Sequence, residues 1–373
     1  MLGAKEQEQQ MTGNNDLFLG TFHIDGRPIG PTQPPYIVAE LSGNHKGNLG
    51  RALDLIDAAA ATGADAVKLQ TYRPETITLN HNGPEFRIEG GLWAGRTLFD
   101  LYEEAQTPWE WHKPLFARAK AQGITLFSSP FDFSAIELLE GLHCPAYKIA
   151  SFEITDIGLI QRAVATGKPI IMSTGLATFD EIVEAVDTVH DAGGTQLALL
   201  HCVSGYPTPL EDCNLLTIAD LKSRFPFPVG LSDHTIDGIA SITAVALGAS
   251  IIEKHFTLDR TDGSVDSAFS LDPKQFKALV DESKRAWKSL GIAGYEIKQS
   301  EAGGREFRRS LYVAKPIKQG GRFTDENIRS VRPGFGLHPR YYSDVLTATA
   351  TQDLSVGTAL SWEHIDKGTE AWR

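Results

Sequence analysis

Two lysines lie inside short apolar segments, which is an unusual position for an ammonium group. Lys68 lies in AVKLQ and Lys148 lies in AYKIAS. Burying a charged lysine is costly unless an anion or another ligand compensates the charge. Serine hydroxyls stand at the ends of neighbouring apolar segments, at Ser129, Ser151, Ser173 and Ser232. Because ammonium groups and hydroxyls together suit a phosphate and a carboxylate, we expect an anion site. Pairing of each lysine with a carboxylate, or Schiff-base chemistry, are the alternatives.

Two histidines follow further apolar segments. His234 comes directly after PVGLSD, and His255 lies near the end of SIIEKHF. Neighbouring strands lie about 5 Å apart, so two imidazoles at adjacent strand ends can reach one divalent cation. Such a cation would keep open positions for substrate oxygens. Two hydrogen-bonded structural histidines are the alternative. His201 lies deeper in LALLHC, and we expect it to be a satisfied core residue.

Other polar side chains stand at the same kind of position. Glu40 is the next-to-last residue of YIVAEL, Gln70 is the last residue of AVKLQ, and Ser204 and Tyr206 follow LALLHC. Glu40 is a candidate general base or an orienting group for a substrate hydroxyl, and its alternative role is the counter-ion of Lys68.

The elements that must position these residues are eight short apolar segments. They are Tyr36–Leu41, Ala66–Gln70, Ile124–Pro130, Ala146–Ser151, Pro169–Thr174, Leu197–Cys202, Pro228–Asp233 and Ser250–Phe256. Most are followed by a segment with helical spacing of apolar residues, such as Leu49–Thr62. Eight such units predict an α/β fold, a (β/α)8 TIM barrel, whose chemistry lies at the C-terminal ends of the strands. A doubly wound open sheet is the second choice, but the turn after the second segment lacks a glycine-rich dinucleotide signature.

The pattern changes near residue 291. We expect an N-terminal extension and hairpin over 1–35, a barrel over 36–290, a glycine-rich polar linker over 291–310, and a small β-rich domain over 311–373. The hairpin is predicted from the turn signal Asp25-Gly26. Residues 311–373 carry eight Lys/Arg against seven Asp/Glu, whereas the whole chain has a net charge of −12. In the small domain, Arg332 stands on a Pro/Gly loop that can present its guanidinium to a carboxylate or an amide.

Composition excludes several classes of protein. The 373 residues are 42% hydrophobic and 22% charged, as in a globular protein. No apolar run reaches the roughly 20 residues of a membrane span, so we expect no membrane partner. The net charge of −12 argues against a nucleic-acid partner. Three cysteines without metal-like spacing, and an N-terminus without a secretory signal, indicate a cytoplasmic protein.

The motifs occur in an order that resembles the sialic acid synthase family, over roughly residues 17–366. They are AELSGNHKG, GADAVKLQTY, FSSPFD, PAYKIASFE, STGLAT, LLHCVSGYPTP, GLSDHT, LGASIIEKHFT and VRPGFG. The resemblance implies a barrel followed by a C-terminal antifreeze-like (SAF) domain. It also implies a transferase that condenses phosphoenolpyruvate with an amino-sugar aldehyde, consumes water and releases phosphate.

Some stretches are more similar to the branch of this family that makes pseudaminic acid. Examples are LWAGRTLFDLYEEAQTPWEWH and LDRTDGSVDSAFSLDP. For that branch the sugar is 2,4-diacetamido-2,4,6-trideoxy-L-altrose. Ser204 stands where the N-acetylneuraminate branch has asparagine, which we expect to alter sugar recognition. A 6-deoxy sugar needs apolar contact at its methyl group, which Trp93 and Phe269 are predicted to supply.

The resemblance also assigns roles. Phosphoenolpyruvate is expected at Lys68, Ser129, Lys148, Ser151, Ser173 and Ser232, and the sugar at Gln70, Ser204, Tyr206 and Asp266. Glu40 is expected to stabilise positive charge at C2 or to direct the water. A Lewis-acidic cation is expected on His234 and His255, with Mn²⁺ first and Mg²⁺ or Co²⁺ as alternatives. Arg332 is expected to reach a partner subunit's barrel and contact the N-acyl group, in a domain-swapped homodimer.

Three other functions compete with this prediction. An N-acetylneuraminate or legionaminate synthase would use N-acetylmannosamine or a 2,4-diacetamido sugar. A Schiff-base aldolase would form an adduct on Lys68 or Lys148. A non-catalytic sugar-binding barrel would have lost several of the polar groups at its strand ends.

Overall fold

The computed structural model of the protein describes residues 22–368. The chain divides into two compact units, with the boundary after Gly291. Most of the predicted N-terminal extension, residues 1–21, and the last five residues of the predicted small domain lie outside the described residues. Among residues 22–368, no helix is both long enough and apolar enough to cross a membrane.

An antiparallel hairpin begins the first unit, with strands β1 (Phe22–Ile24) and β2 (Arg27–Ile29). The turn is at Asp25-Gly26, where both residues have positive φ, as a two-residue hairpin turn requires. The side chains of Phe22 and Ile24 are buried in the core of the first unit. The His23 amide donates to Gln196 Oε1 at 2.8 Å, and Gln196 directly precedes a barrel strand. The hairpin therefore covers the N-terminal end of the barrel.

The predicted barrel is confirmed. Eight parallel strands pair in chain order, and the last pairs with the first. They are β3 (Tyr36–Glu40), β4 (Ala66–Thr71), β5 (Thr125–Pro130), β6 (Tyr147–Ile149), β7 (Ile170–Ser173), β8 (Leu197–Cys202), β9 (Val229–Asp233) and β10 (Ile251–His255). These strands are buried along nearly their whole length, because helices cover their outer face and side chains fill the interior. Each begins or ends within two residues of its predicted segment.

Helices follow the strands on the outside of the barrel. They are α1 (Leu49–Ala61), α2 (Pro74–Ile77), α3 (Leu98–Ala105), α4 (Trp109–Gln122), α5 (Phe133–Gly141), α6 (Ile157–Val164), α7 (Phe179–Asp191), α8 (Leu216–Arg224), α9 (Ile239–Ala246) and α10 (Pro273–Leu290). Side-chain caps fix several starts, for example Asn48 at α1 and Thr178 at α7. Short 3-10 helices lie at Pro84–Phe86, Ser151–Glu153, Leu210–Asp212 and Ser267–Phe269.

A long excursion separates β4 from α4. It contains α2, the 3-10 helix and α3, and a bridge between Arg87 and Thr97 makes a small hairpin within it. The connection is far longer than the usual two to six residues between a strand and its helix. We call residues 74–105 the roof, because side chains along it line the cavity described below.

The second unit has small sheets around its own core. Its strands are β11 (Ser310–Val313), β12 (Ile328–Val331), β13 (Thr349–Ala350) and β14 (Ile365–Asp366), and its α-helix is α11 (Tyr342–Val345). β11 pairs with β12 and β13 with β14, both antiparallel. Short 3-10 helices lie at Gln299–Phe307, Pro339–Tyr341 and Trp362–His364. Leu311, Phe323, Ile328 and Leu360 are buried at its centre.

Candidate active site

A cavity of about 570 Å³ opens at the C-terminal ends of the barrel strands. Its polar walls come from Lys68 and Gln70 of β4, Ser173 of β7, Ser232 and His234 at the end of β9, and Glu253 and His255 of β10. Lys148, Ser151, Ser204, Tyr206 and Asp266 also line it. Of these twelve residues, all but Glu253 were predicted as site residues, so the structure brings eleven of the predicted residues to one cavity. Side chains alternate between the two faces of a strand, which explains why Glu253 and His255 line the cavity and Lys254 between them does not. Lys254 pairs instead with Asp233 at 3.0 Å.

Two carboxylates and two lysines form a buried ionic cluster at the base of the cavity. Lys68 Nζ lies 2.7 Å from Glu40 Oε2 and 3.3 Å from Glu253 Oε1. Lys148 Nζ lies 3.9 Å from Glu253 Oε2 and donates to Ser173 Oγ at 2.5 Å. Lys68 also donates to Ser129 Oγ at 3.2 Å, which places Ser129 beside the cluster. The alternative role of Glu40, the counter-ion of Lys68, is therefore present in the structure, and it does not exclude a ligand.

The charges in this cluster are not evenly balanced. Burial lowers the pKa of Lys148, and the carboxylate of Glu253 only partly opposes this. Burial also raises the pKa of Glu40, against the attraction of Lys68. Glu253 is shared, since burial would raise its pKa but Lys148 and Lys68 hold it below the ordinary value. Lys148 is thus the lysine short of negative charge, and an added phosphate or carboxylate would stabilise its ammonium form.

The two histidines lie side by side, with ring centroids 5.4 Å apart. His234 Nδ1 is 3.0 Å from the Val203 carbonyl, which can only accept, so Nδ1 carries the proton and Nε2 keeps its lone pair. His255 Nδ1 is buried with no hydrogen-bond partner and lies 3.7 Å from Asp266 Oδ2. Burial, followed by the neighbouring His234, holds the pKa of His255 well below its usual range, so its imidazole is neutral.

These donors fit a shared divalent cation. Imidazole nitrogens suit a borderline cation, and a buried nitrogen without a hydrogen-bond partner, such as His255 Nδ1, is otherwise costly. Burial would lower the pKa of His234, but the neighbouring Cys202 raises it, so His234 would release a proton when it binds the cation. Among residues 22–368, no group of three His, Cys, Asp or Glu side chains has metal-binding geometry. The remaining coordination positions would therefore fall to water or substrate oxygens.

Asp266 lies beside His255 and is held by hydrogen bonds of its own. Ser42 Oγ donates to its carboxylate, and the Ser42 amide donates to Glu40 Oε1 at 3.1 Å. Gln70 Nε2 also donates to Glu40 Oε1, at 3.0 Å. Burial raises the pKa of Asp266 to about 6, against the hydrogen bond from Ser42. The Tyr206 ring packs 4.4 Å from that of His234.

Asn44 positions the loop that carries Asp266. Its Nδ2 donates to the Phe256 carbonyl and to Ser270 Oγ, both at 2.9 Å. Its Oδ1 accepts from Ser264 Oγ at 3.0 Å and from the Asp266 amide at 3.2 Å. Asn44 therefore acts through Asp266.

Two other histidines, His201 and His45, are not among the residues that line the cavity. His201 Nε2 bonds the Cys213 carbonyl at 2.7 Å, as expected for a satisfied core residue. His45 packs edge-on against Trp111, and burial lowers its pKa to about 4.

Sequence reasoning assigned no role to two carboxylates of the site. Glu253 touches both lysines, and its spacing two residues before His255 on the same strand face could have identified it. Glu153 lines the cavity from the turn after β6, and its Oε2 has no hydrogen-bond partner. Burial raises the pKa of Glu153 to about 7, with Lys148 opposing the shift.

Two predicted residues lie elsewhere. Phe269 is not among the residues that line the cavity; it is buried behind His255, with ring centroids 4.8 Å apart. It therefore supports the imidazole, and the predicted contact with a methyl group is wrong for this residue. Arg332 follows β12 in the second unit, where its side chain is exposed. Its contact with a partner subunit stays a prediction.

Comparison with known proteins identifies the family. The NeuB family pattern matches residues 55–295, and the SAF domain pattern matches residues 308–366. The chain is 47% identical over 342 residues to the pseudaminic acid synthase of Campylobacter jejuni, covering 92% of this chain and 98% of the relative. It is 45% identical over 336 residues to the pseudaminic acid synthase of Helicobacter pylori, covering 90% and 99%.

A solved structure has the same architecture. The N-acetylneuraminic acid synthetase of Leptospira borgpetersenii, in complex with citrate, superposes with a TM-score of 0.70 at 35% identity. The match covers 78% of this chain and 96% of that one. With the family pattern spanning more than half of the sequence and relatives matched along almost their full length, the chain belongs to the NeuB family and carries a C-terminal SAF domain.

Proposed function

We propose that this protein condenses phosphoenolpyruvate with 2,4-diacetamido-2,4,6-trideoxy-L-altrose and water to give pseudaminic acid and phosphate. The observation that carries the proposal is the near end-to-end match to two pseudaminic acid synthases, at 47% and 45% identity. The match to an N-acetylneuraminic acid synthetase is lower, at 35%. The cavity supports the proposal, because its base has the cationic and hydroxyl groups that a phosphate and a carboxylate require.

Phosphoenolpyruvate would bind at the base of the cavity. Lys148 and Ser173 lie within 2.5 Å of each other, and Lys68 and Ser129 within 3.2 Å, which gives two ammonium–hydroxyl pairs for two anionic groups. Ser151 and Ser232 supply further hydroxyls on the same wall. The bound anion would replace Glu253 as the main partner of Lys148, because it is a stronger partner than a carboxylate shared by two lysines.

Carbon–carbon bond formation places positive charge at C2 of the former enol. C3 attacks the C1 aldehyde of the sugar, water adds at C2, and the resulting tetrahedral species loses phosphate by cleavage of the C2–O bond. Glu40 is the carboxylate for the second stage, since it lies at the base beside Lys68 and its raised pKa favours acceptance of a proton from the attacking water. Gln70 and Ser42 hold its Oε1, so the carboxylate is fixed in orientation.

The aldehyde would bind between the histidines and Asp266. His234 Nε2 and His255 Nδ1 are the atoms available to hold a divalent cation, for which Mn²⁺ is our first choice. When bound, the cation supplies Lewis-acid polarisation of a carbonyl oxygen. Asp266 and Tyr206, which lie next to His255 and His234, would hold sugar hydroxyls or amides, and Ser204 also lines the cavity.

We further propose a homodimer in which the second unit of one protomer completes the barrel of its partner. Successive loops at the C-terminal face of the barrel expose large apolar side chains, at Phe133, Phe152, Leu176, Leu216, Ile236 and Ile239. Leu176 and Leu216 are 74% and 75% exposed, which is unfavourable unless another surface covers them. The second unit exposes Phe307, and also Phe335, which is three residues after Arg332. All three cysteines are free and buried, in keeping with the proposed cytoplasmic location.

Phosphate release tests the proposed function. Metal-replete enzyme is incubated with phosphoenolpyruvate and either the altrose sugar or N-acetylmannosamine. We expect phosphate only with the altrose sugar. Comparable release with N-acetylmannosamine would move the protein to the N-acetylneuraminate branch, and no release with either sugar would overturn the function.

A further inference from the structure

The cavity has two chemically different surfaces. Its base and strand ends are polar, as described above. The roof contributes mainly apolar side chains: Ile77, Ile88, Leu98, Leu101 and Ala105 line the cavity, together with the aromatic rings of Trp93 and Tyr102. Of these residues, the sequence had predicted only Trp93 as an apolar contact for the sugar, because the roof lies in an irregular connection outside the barrel strands.

The roof is fixed to the side of the cavity that holds Asp266. Its hairpin closes through hydrogen bonds between Ile88 and Arg96 at 2.9 Å and between Gly95 and Ile88 at 2.8 Å. At the tip, Trp93 Nε1 donates to the carbonyl of Val265 at 3.0 Å, directly before Asp266. The Trp93 ring lies 5.7 Å from that of Tyr206. The apolar surface therefore adjoins the two residues proposed to hold the sugar.

An apolar surface in a sugar site constrains the sugar. A hydroxyl pressed against Ile88 or Leu98 would lose its water without gaining a hydrogen bond, which is costly. Phosphoenolpyruvate has two anionic groups that the polar base satisfies, so it does not account for the roof. A sugar that carries a methyl group in place of a hydroxymethyl group would bury that methyl favourably.

We propose that the roof is the specificity-determining element for the sugar, and that Ile88 and Leu98 select a 6-deoxy sugar by contact with its C6 methyl group. This inference rests on the proposed function. It assigns the selection to an element outside the barrel strands and to residues without polar atoms. The same residues would disfavour the 6-hydroxy analogue, 2,4-diacetamido-2,4-dideoxy-L-altrose, because Ile88 and Leu98 offer its extra hydroxyl no hydrogen-bond partner.

The test compares kcat/KM for the 6-deoxy and 6-hydroxy sugars in wild-type enzyme and in three variants. Leu98→Asn and Ile88→Thr place polar atoms at the roof surface; Leu98→Asn keeps the number of side-chain heavy atoms, and Ile88→Thr removes one carbon. Leu92→Asn is the matched control, because Leu92 lies in the same hairpin but is 48% exposed and is not among the cavity-lining residues. Thermal unfolding of each variant shows whether it is folded, and the ratio of the two kcat/KM values cancels any general loss of active enzyme.

We expect wild-type enzyme and Leu92→Asn to prefer the 6-deoxy sugar by on the order of 10²-fold. In Leu98→Asn or Ile88→Thr the preference should fall below about 10-fold, mainly through a lower kcat/KM for the 6-deoxy sugar. A wild-type enzyme that is active with the 6-deoxy sugar, but whose preference is unchanged in both roof variants, would overturn the inference and leave the function standing. A wild-type enzyme that releases no phosphate with either altrose sugar would overturn both.

Discussion

Removal of the Glu253 charge is the perturbation that tests the ionic cluster most severely. Glu253 Oε1 lies 3.3 Å from Lys68 Nζ, and Glu253 Oε2 lies 3.9 Å from Lys148 Nζ. Glu253→Gln therefore leaves two buried ammonium groups with one carboxylate. Lys68 keeps Glu40 at 2.7 Å, so most of the loss falls on Lys148. Breaking a buried pair by removing one partner costs about 3–5 kcal/mol.

The structure favours the lower end of that range. The Lys148–Glu253 distance of 3.9 Å is longer than a hydrogen bond, and Lys148 can release its proton, since burial already lowers its pKa. We therefore expect Glu253→Gln to lower the free energy of unfolding by about 3 kcal/mol at pH 7. Adding Lys148→Met removes the unpaired charge and leaves the Lys68–Glu40 pair intact, so the double variant should recover about 2 kcal/mol of that loss.

Urea denaturation of the metal-free protein, followed by circular dichroism, measures the four free energies of this cycle. Leu92→Asn, a change at an exposed residue that takes no part in the ionic cluster, serves as the control for the method and should shift the free energy of unfolding by less than about 0.5 kcal/mol. A double variant that is as unstable as the sum of the two single variants would refute the reasoning. It would mean that Lys148 does not depend on Glu253 for its stability.

Three further predictions concern the divalent cation, the Asp266 carboxylate and the dimer. Chelation with EDTA should abolish phosphate release, and added Mn²⁺ should restore it. His255→Ala should weaken Mn²⁺ binding at least about 10-fold in calorimetric titration. Full activity in the presence of the chelator would contradict the cation site and favour a Schiff base, which borohydride would trap. Because burial raises the pKa of Asp266 to about 6, its ionised form costs stability above that pH, and Asp266→Asn should stabilise the metal-free protein at pH 8 by up to about 3 kcal/mol. This advantage should shrink as the pH falls from 6 towards 4 in thermal unfolding, and an advantage that grows on acidification would contradict the assignment. Finally, the Glu40→Gln and Arg332→Ala variants should each be nearly inactive. An equal mixture of the two should recover about a quarter of wild-type activity after subunit exchange, because half of the dimers are mixed and one of the two sites in each mixed dimer is intact. No recovery of activity would contradict domain swapping.

The barrel could be predicted from the sequence because its signals are local. Each strand is a short apolar run, each is followed by helical spacing, and the same unit recurs eight times. The side chains at strand ends then meet by topology alone, which explains why Lys68, Lys148, His234 and His255 were found together.

The remaining features depend on contacts that no local pattern encodes. Glu253 bridges two lysines that are 80 residues apart in the sequence, and only the closed barrel brings them to it. The apolar residues of the roof do not recur at helical or strand spacing, so the sequence pattern could not assign them as a group to the cavity. Phe269 was expected to touch substrate because it is aromatic and near Asp266, but the 3-10 turn at Ser267–Phe269 directs it behind His255.

The most direct measurement of the central claim is a competition between the two sugars in one vessel. Wild-type enzyme with Mn²⁺ and phosphoenolpyruvate receives equal concentrations of 2,4-diacetamido-2,4,6-trideoxy-L-altrose and N-acetylmannosamine, and the nine-carbon products are identified by mass spectrometry. The ratio of products gives the ratio of the two kcat/KM values directly. We predict pseudaminic acid in at least about 100-fold excess over N-acetylneuraminate. Equal amounts of the two products, or an excess of N-acetylneuraminate, would contradict the proposed function.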